Sequence, residues 1–228
     1  MYNAKILAAI PRRKDISEQQ FHDHWRHPHG TLSKKIACLR GYIQSHRIDS
    51  PLLPDKQRVY DGITELWFDS LDDALALGKD PAHAKYNIPD EPLFVDMDGL
   101  TFTFFEEEVL RSRPSVDDPD DAAVHWSPTD WSVSAKIIQL VESDGNVDWA
   151  ADDDGALGDR LGAYRHVRSR PVAKVHGDSP PFIGARELWW PTLSALERGV
   201  TADPQAFATL MGRAGVHHTL IANAERII

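Results

Sequence analysis

Two hydrophobic periods alternate along the first half of the chain. Lys5–Ile10 is a short apolar run stopped by Pro11, the pattern of a buried strand. Ser17-Glu-Gln-Gln20 has the spacing of a capping box and predicts a helix starting after Ser17. Phe21, Trp25, Leu32, Ile36 and Leu39 then fall at spacings of four, seven, four and three, one apolar stripe at helical period. Pro28 and Gly30 interrupt that stripe. Proline lacks a backbone donor and crowds the preceding turn, so a kink or restart is expected near His27–Gly30. Gly41–Arg47 reads as a second strand. Tyr60–Phe68 reads as a third, with Ile63, Glu65 and Trp67 on one face and Thr64, Leu66 and Phe68 on the other. Ser70 caps a short helix through Leu77. Pro81–Met97, with three prolines, reads as a long surface loop able to act as a lid. Leu100, Phe102 and Phe104 alternate with Thr101, Thr103 and Phe105, a half-buried strand.

The second half repeats the first. Ala4-Lys5-Ile6 returns as Ala135-Lys136-Ile137, Leu39 and Tyr42 as Leu161 and Tyr164, and Gly62-Ile-Thr-Glu65-Leu66-Trp67-Phe68 as Gly184-Ala-Arg-Glu187-Leu188-Trp189-Trp190. The offset falls from 131 (Ala4 to Ala135) to 122 (Gly62 to Gly184), so the second copy lacks nine residues between these landmarks. The matching stretch of the first copy holds Phe21-His22-Asp23-His24-Trp25-Arg26-His27-Pro28-His29-Gly30. One copy therefore keeps a polar cluster that the other has lost. Each copy reads as strand, helix, strand, strand, helix, strand, the βαββαβ or ferredoxin-like order. Such a sheet buries one face under its helices and leaves the other needing a partner. The expected fold is α+β, two ferredoxin-like repeats whose antiparallel sheets pack as an intramolecular dimeric α/β barrel. The expected boundaries are 1–112 for the repeat with the site, 113–131 for an acidic linker containing Asp117-Asp118-Pro119-Asp120-Asp121, and 132–228 for a degenerate, mainly structural repeat.

Composition narrows the function classes. The formal charge is −10, against a broad nucleic-acid surface, which needs clustered Lys and Arg. Cys38 is the only cysteine, so no internal disulfide and no Cys-based metal cage can form. No stretch has the apolar length to span a bilayer and no secretory leader is legible, so a soluble cytoplasmic protein is the expectation. There is no Gly-rich nucleotide loop, Walker motif, G-x-S-x-G elbow or HExxH.

Phe21-x-x-His24-Trp25-Arg26-x-x-His29-Gly30-x-Leu32 resembles the F-x-x-Y-W-R-x-x-H-G-P-L signature of the EthD family. The stretch Asp90-Glu91, Phe94, Asp96 and Glu107-Glu108 is similar as well. The resemblance covers about the first half of the chain, and the second half looks like a degenerate copy. It implies a dimeric α/β barrel with a cleft between helix and sheet. Family members are associated with alkyl-ether degradation, and fungal relatives with dehydration in polyketide pathways. His29 matches the family histidine, Trp25 and Arg26 match its neighbours, and Glu107 or Glu108 the acidic end. His24 stands where the family often has tyrosine and Thr31 where it often has proline.

His29 is the leading acid/base candidate, because imidazole titrates near neutrality. His24, Tyr42 and Glu65 are the candidate second groups that orient it or stabilise developing charge. Trp25, His22, Tyr60, Trp67, His83 and Tyr86 are candidate substrate contacts, the bland reading of the tryptophans being core. A metal site is not expected: His22 and His29 are two helical turns apart, about 10.5 Å of rise. The reading reached is a cofactor-independent acid/base enzyme (lyase, dehydratase or isomerase type) acting on a hydrophobic or aromatic small molecule in catabolism. The alternatives are a non-catalytic small-molecule-binding accessory protein and a haem-binding α/β barrel. Expected partners are the hydrophobic small molecule and a second copy of the chain in a homodimer, with no nucleic acid and no membrane.

Overall fold

The computed structural model describes residues 4–53, 58–112 and 133–228. The acidic linker and its aspartate run lie outside the described residues. Eight strands, β1 (Ala4–Ile10), β2 (Gly41–Arg47), β3 (Gly62–Phe68), β4 (Thr101–Arg111), β5 (Val133–Glu142), β6 (Arg165–Pro171), β7 (Phe182–Trp190) and β8 (His217–Arg226), close into a barrel in the order β1-β3-β2-β8-β5-β7-β6-β4. Each half supplies one four-stranded antiparallel sheet. Alone, such a sheet would leave β2 and β4 as open edges with unpaired backbone groups. The second half pairs both edges: Ile43 lies opposite Arg226 across β2 and β8, and Glu107 opposite Ser169 across β4 and β6.

Pairing also refines the repeat. Tyr42 lies opposite Leu66, whereas the residue opposite Leu188 is His166. Tyr42 therefore corresponds in space to His166, not to Tyr164. Tyr164 instead packs with Ile43, Trp67, Trp189 and Ala224, and its hydroxyl lies 2.7 Å from that of Ser134.

The barrel interior is built from one side chain in two along each strand. One apolar layer holds Leu7 and Ile63 from the first half with Ile138, Leu140 and Leu220 from the second. Beside it lies a buried charge cluster made by the repeat itself. Lys5 pairs with Glu65, Glu107 and Glu187, and its counterpart Lys136 with Glu65 and Glu187. Trp67 and Trp189 each present a ring face to the lysine of their own half. Burial acts to lower Lys5, yet Glu107, Glu187 and Glu65 hold it above the ordinary lysine value; burial leaves Lys136 below it. Buried ions persist only when paired in this way.

The helices pack outside the barrel. In the first half the Ser17 hydroxyl accepts from Gln20 N and the Gln20 side chain accepts from Ser17 N, closing the capping box that opens α1 (Glu18–His24). The helical path continues through Trp25–His29 into α2 (Gly30–Ser33), but His27 is extended (φ −156°, ψ 116°), at the kink expected from Pro28. Ser70 caps α3 (Leu71–Ala76). The segment read as a surface loop is instead helical, with a π turn at His83–Asn87, α4 (Ile88–Asp90) and a 3-10 turn at Glu91–Leu93. Pro89 and Pro92 sit in first-turn positions, where the missing N–H has no intrahelical role. The second half carries α5 (Asp154–Arg160), α6 (Ala173–His176), α7 (Leu193–Ala202) and α8 (Pro204–Gly212). No helix among the described residues is long and apolar enough to cross a membrane.

A tryptophan locks the sheet to its cover in each half. A Cβ built on Gly62 would fall 2.2 Å from the Trp25 ring, and one on Gly184 2.2 Å from the Trp149 ring. The glycines at the start of both repeats of G-x-x-E-L-W exist for this close approach.

Candidate active site

A cavity of about 490 Å3 lies between the first half's helices and the outer face of its sheet. Its floor is apolar, from Ile6, Ala8 and Leu66 on the strands, and Phe94, Leu77 and Ile36 close its sides. The size and lining are those of a small-molecule pocket. Leu75, Ile88 and Phe102 line it while remaining solvent-exposed, which makes an apolar mouth.

One strip of the wall is polar. The kink at His27 turns His29 inward, where it is buried and lines the cavity. His29 Nδ1 lies 2.9 Å from Asp90 Oδ2, and His24 Nε2 lies 2.9 Å from Asp90 Oδ1. A carboxylate accepts only, so Nδ1 of His29 carries a proton, and in the neutral ring Nε2 is the acceptor. Asn87 Nδ2 is 3.4 Å from that Nε2 and donates to Ser33 Oγ at 2.7 Å; Ser33 Oγ donates to the His29 carbonyl at 3.0 Å. Phe94 packs on both imidazoles, with ring centroids 4.9 Å from His24 and 5.1 Å from His29. Burial works to raise the Asp90 carboxyl, but the hydrogen bonds from His29 and His24 outweigh it and hold it below the ordinary carboxylate value.

Among the sequence candidates, His29, Tyr42, Trp25 and His83 line the cavity. His24 stands one shell back, on the far oxygen of Asp90. Glu65 and Trp67 are on the other face of β3, inside the barrel: strand alternation that puts Thr64 and Leu66 on the cavity wall turns them away. Tyr60 packs against Phe182 and the His218 ring at one end of the barrel interior. His22 pairs with His46, Nδ1 to Nδ1 at 2.9 Å, outside the cavity. Tyr86 lies under the ammonium groups of Lys35 and Lys85 rather than in the wall. The four histidines thus divide: two converge on Asp90, His22 meets His46, and His27 is exposed beside Thr31. Arg26 makes a two-pronged contact with Glu225, tying the kinked helix to the second half.

Sequence reasoning missed Asn87 and Ser33 as site residues and carried Asp90 only within the family resemblance, with no role in the site. Taking Pro81–Met97 as an irregular loop hid the signal. Asn87, Asp90 and Phe94 are spaced three and four apart, which puts them on one face once that segment is helical.

The architecture is a ferredoxin-like dimeric α/β barrel, closed here within a single chain. Residues 13–98 match the family model described as the EthD domain. The chain is similar to an EthD family protein from Bacillus halodurans C-125 (22% identity, 46% of this chain and 99% of that one, TM-score 0.39). An anthrone oxidase-like protein matches over 99% of this chain and 92% of its own at 11% identity and a TM-score of 0.54. A structure described as a putative monooxygenase from Lactobacillus acidophilus NCFM matches over 100% and 95% at 10% identity and a TM-score of 0.50. The last two span both halves, and at such identity they show the fold alone. No curated protein matches the chain.

Proposed function

We propose that this protein is an acid/base enzyme, of lyase, dehydratase or isomerase type, working without a cofactor on a hydrophobic or aromatic small molecule in cytoplasmic catabolism. The observation that supports this most is the hydrogen bond from His29 Nδ1 to Asp90 at the polar edge of an otherwise apolar cavity. Asp90 fixes the tautomer and stabilises the imidazolium that forms when Nε2 takes a proton, so His29 can remove a proton from one atom of a bound molecule and return it to another. His24 steadies Asp90 from its other side. The apolar walls exclude water and select a molecule whose body is hydrocarbon.

Proton transfer leaves an isotopic record. Incubation with aromatic and alicyclic ketones in D2O, read by mass spectrometry, is expected to show deuterium entering beside the carbonyl, and His29→Ala is expected to abolish it. A folded His29→Ala protein that exchanges at the wild-type rate overturns the assignment, as does binding of these ketones by the wild type with no exchange, which is the behaviour of an accessory binding protein. A homodimer of tandem chains belongs to the same proposal, and sedimentation equilibrium giving the mass of one chain counts against it.

A further inference from the structure

A run of hydrogen bonds leads from the surface to the cavity wall, and its polarity follows from which groups can only donate or only accept. The Trp25 carbonyl, an acceptor, lies 2.7 Å from one end of the Gln44 amide. That end must be the NH2 group, so Oε1 faces the other way, 3.1 Å from His46 Nε2. His46 Nε2 must then carry its proton. Burial pushes His46 down to about 2, so the ring is neutral and its Nδ1 accepts. The donor to it, at 2.9 Å, is His22 Nδ1. At the inner end, Gln44 Nε2 donates to the Tyr42 hydroxyl oxygen at 2.8 Å, and the Trp25 indole N–H donates to the same oxygen at 3.2 Å.

The phenol oxygen of Tyr42 therefore already accepts two hydrogen bonds, and a hydroxyl has two acceptor positions. Its own proton is left to be given away. The hydroxyls of Ser33 and Thr64 are within hydrogen-bonding reach of it, and all three residues line the cavity. Burial raises Tyr42 to about 12, so at neutral pH it keeps the proton it offers. Asn87 supplies the complement: its Oδ1 is buried without a hydrogen-bond partner, in a residue that also lines the cavity.

We infer that Tyr42 is a donor of fixed direction that binds an oxygen atom of the substrate, and that the cavity takes apolar molecules presenting a carbonyl or phenolate oxygen to it. Gln44 and His46 are positioning residues that deny Tyr42 any other polarity. A carbonyl oxygen held there gains negative charge when His29 removes a neighbouring proton, and a preorganised donor stabilises that charge. This deepens the reading of the cavity as an acid/base site and rests on it for the location of the ligand.

The test needs no turnover, so it fails or succeeds apart from the deuterium experiment. The probe is 4-nitrophenol, whose ionised form absorbs visible light, with nitrobenzene as the analogue lacking the oxygen. The wild type is expected to bind phenolate about tenfold tighter than phenol, seen as a downward shift of about one unit in the bound probe's pKa. Tyr42→Phe is expected to abolish that shift and leave nitrobenzene affinity within about twofold. Gln44→Glu should abolish it too, because a carboxylate at 44 takes the Tyr42 proton for itself. A shift retained in Tyr42→Phe, a shift retained in Gln44→Glu, or no binding of 4-nitrophenol by the wild type overturns the inference. If Gln44→Glu does not fold, the near-isosteric Tyr42→Phe decides alone.

Discussion

The outer faces of the two sheets are built on the same positions and end differently. In the first half, Ala8, Thr64 and Gln44 lie side by side across β1, β3 and β2, and the space above them is open cavity. In the second half the matching row is Gln139, Arg186 and Arg168. There the Arg186 guanidinium fills the space, bonded to Gln139 Oε1 at 2.7 Å, the Leu210 carbonyl at 2.8 Å, the Trp149 carbonyl at 2.7 Å and Asp154 at 2.9 Å. Around it Leu157, Leu161, Leu188, Trp190, Leu196 and Leu210 pack a continuous core. A small residue at 64 leaves a void; an arginine at 186 plugs it. The same sheet position, with a different side-chain volume, separates the half that has a cavity from the half whose matching space is filled.

The largest effects should come from the two aspartates, in opposite currencies. Asp154 is buried and anchors Arg186, Arg213 and, at 3.6 Å, Arg168. Removing it leaves a buried guanidinium unpaired, so Asp154→Ala is expected to cost about 3–5 kcal/mol in denaturant unfolding. Asp90 anchors two imidazoles at a cavity instead. Asp90→Asn keeps the shape but no longer fixes the His29 tautomer, so the deuterium exchange rate is expected to fall about 10²- to 10⁴-fold. Its stability cost should stay near 1–2 kcal/mol, that of lost hydrogen bonds. If Asp90→Asn unfolds the protein as readily as Asp154→Ala does, or leaves exchange intact, the contrast between a working half and a filled half collapses.

The barrel was legible in the sequence because its cause was. Strand alternation in Ile63–Phe68 and its recurrence in Ile183–Trp190 sorted the side chains into two faces, and the unpartnered sheet face required the second copy. The kink was legible because Pro28 has one physical effect in a helix. The site was half legible. His29 stood out by chemistry and position, but Asp90 and Asn87 lay in a proline-bearing stretch with few apolar residues to set a period. Glu65 and Trp67 misled for a related reason. Their recurrence as Glu187 and Trp189 marks the barrel's own symmetric charge cluster, and the same alternation that exposed Thr64 to the cavity carried them to the opposite face. The Tyr42–Tyr164 match was chance similarity across a two-residue change of offset, visible only once strand partners were known.

A smaller effect should be equal in both halves. Gly62→Ala and Gly184→Ala each drive a methyl group into a tryptophan ring, at Trp25 and Trp149 respectively. Overpacking of this kind costs about 1–3 kcal/mol. Matched losses in thermal unfolding would show that both tryptophans are structural pegs, whichever half carries the ligand. A Gly62→Ala cost well below that of Gly184→Ala would mean the cavity beside Trp25 lets the ring move.

The smallest effect per pH unit is acid sensitivity, and it too should arise from both halves. Each holds a buried histidine whose proton affinity burial lowers: His46 beside Gln44, and His166 under α5, where a Cβ on Gly158 would lie 2.5 Å from its Nδ1. Burial is the main cause in both, lowering His46 to about 2, with Arg26 and His22 adding to it. His166 falls to about 3, with Arg186 and Arg168 adding to burial and Asp154 opposing it. An unfolded histidine takes its proton near 6.5, so below that pH the unfolded chain binds protons that the folded chain refuses. The stability that each neutral ring contributes is complete above about pH 6.5 and drains away as pH falls towards the folded values, by about 1.4 kcal/mol per pH unit for each histidine. His46→Gln and His166→Gln, each able to hydrogen-bond without titrating, are expected to remove one such increment apiece from the slope of unfolding free energy between about pH 6 and pH 4. Equal flattening would place the two histidines on the same footing although one wall is open and the other closed. A slope unchanged by His46→Gln would mean that ring is charged when folded; its Nδ1 would then donate to His22 instead of accepting, while Gln44, oriented by the Trp25 carbonyl, would still donate to Tyr42.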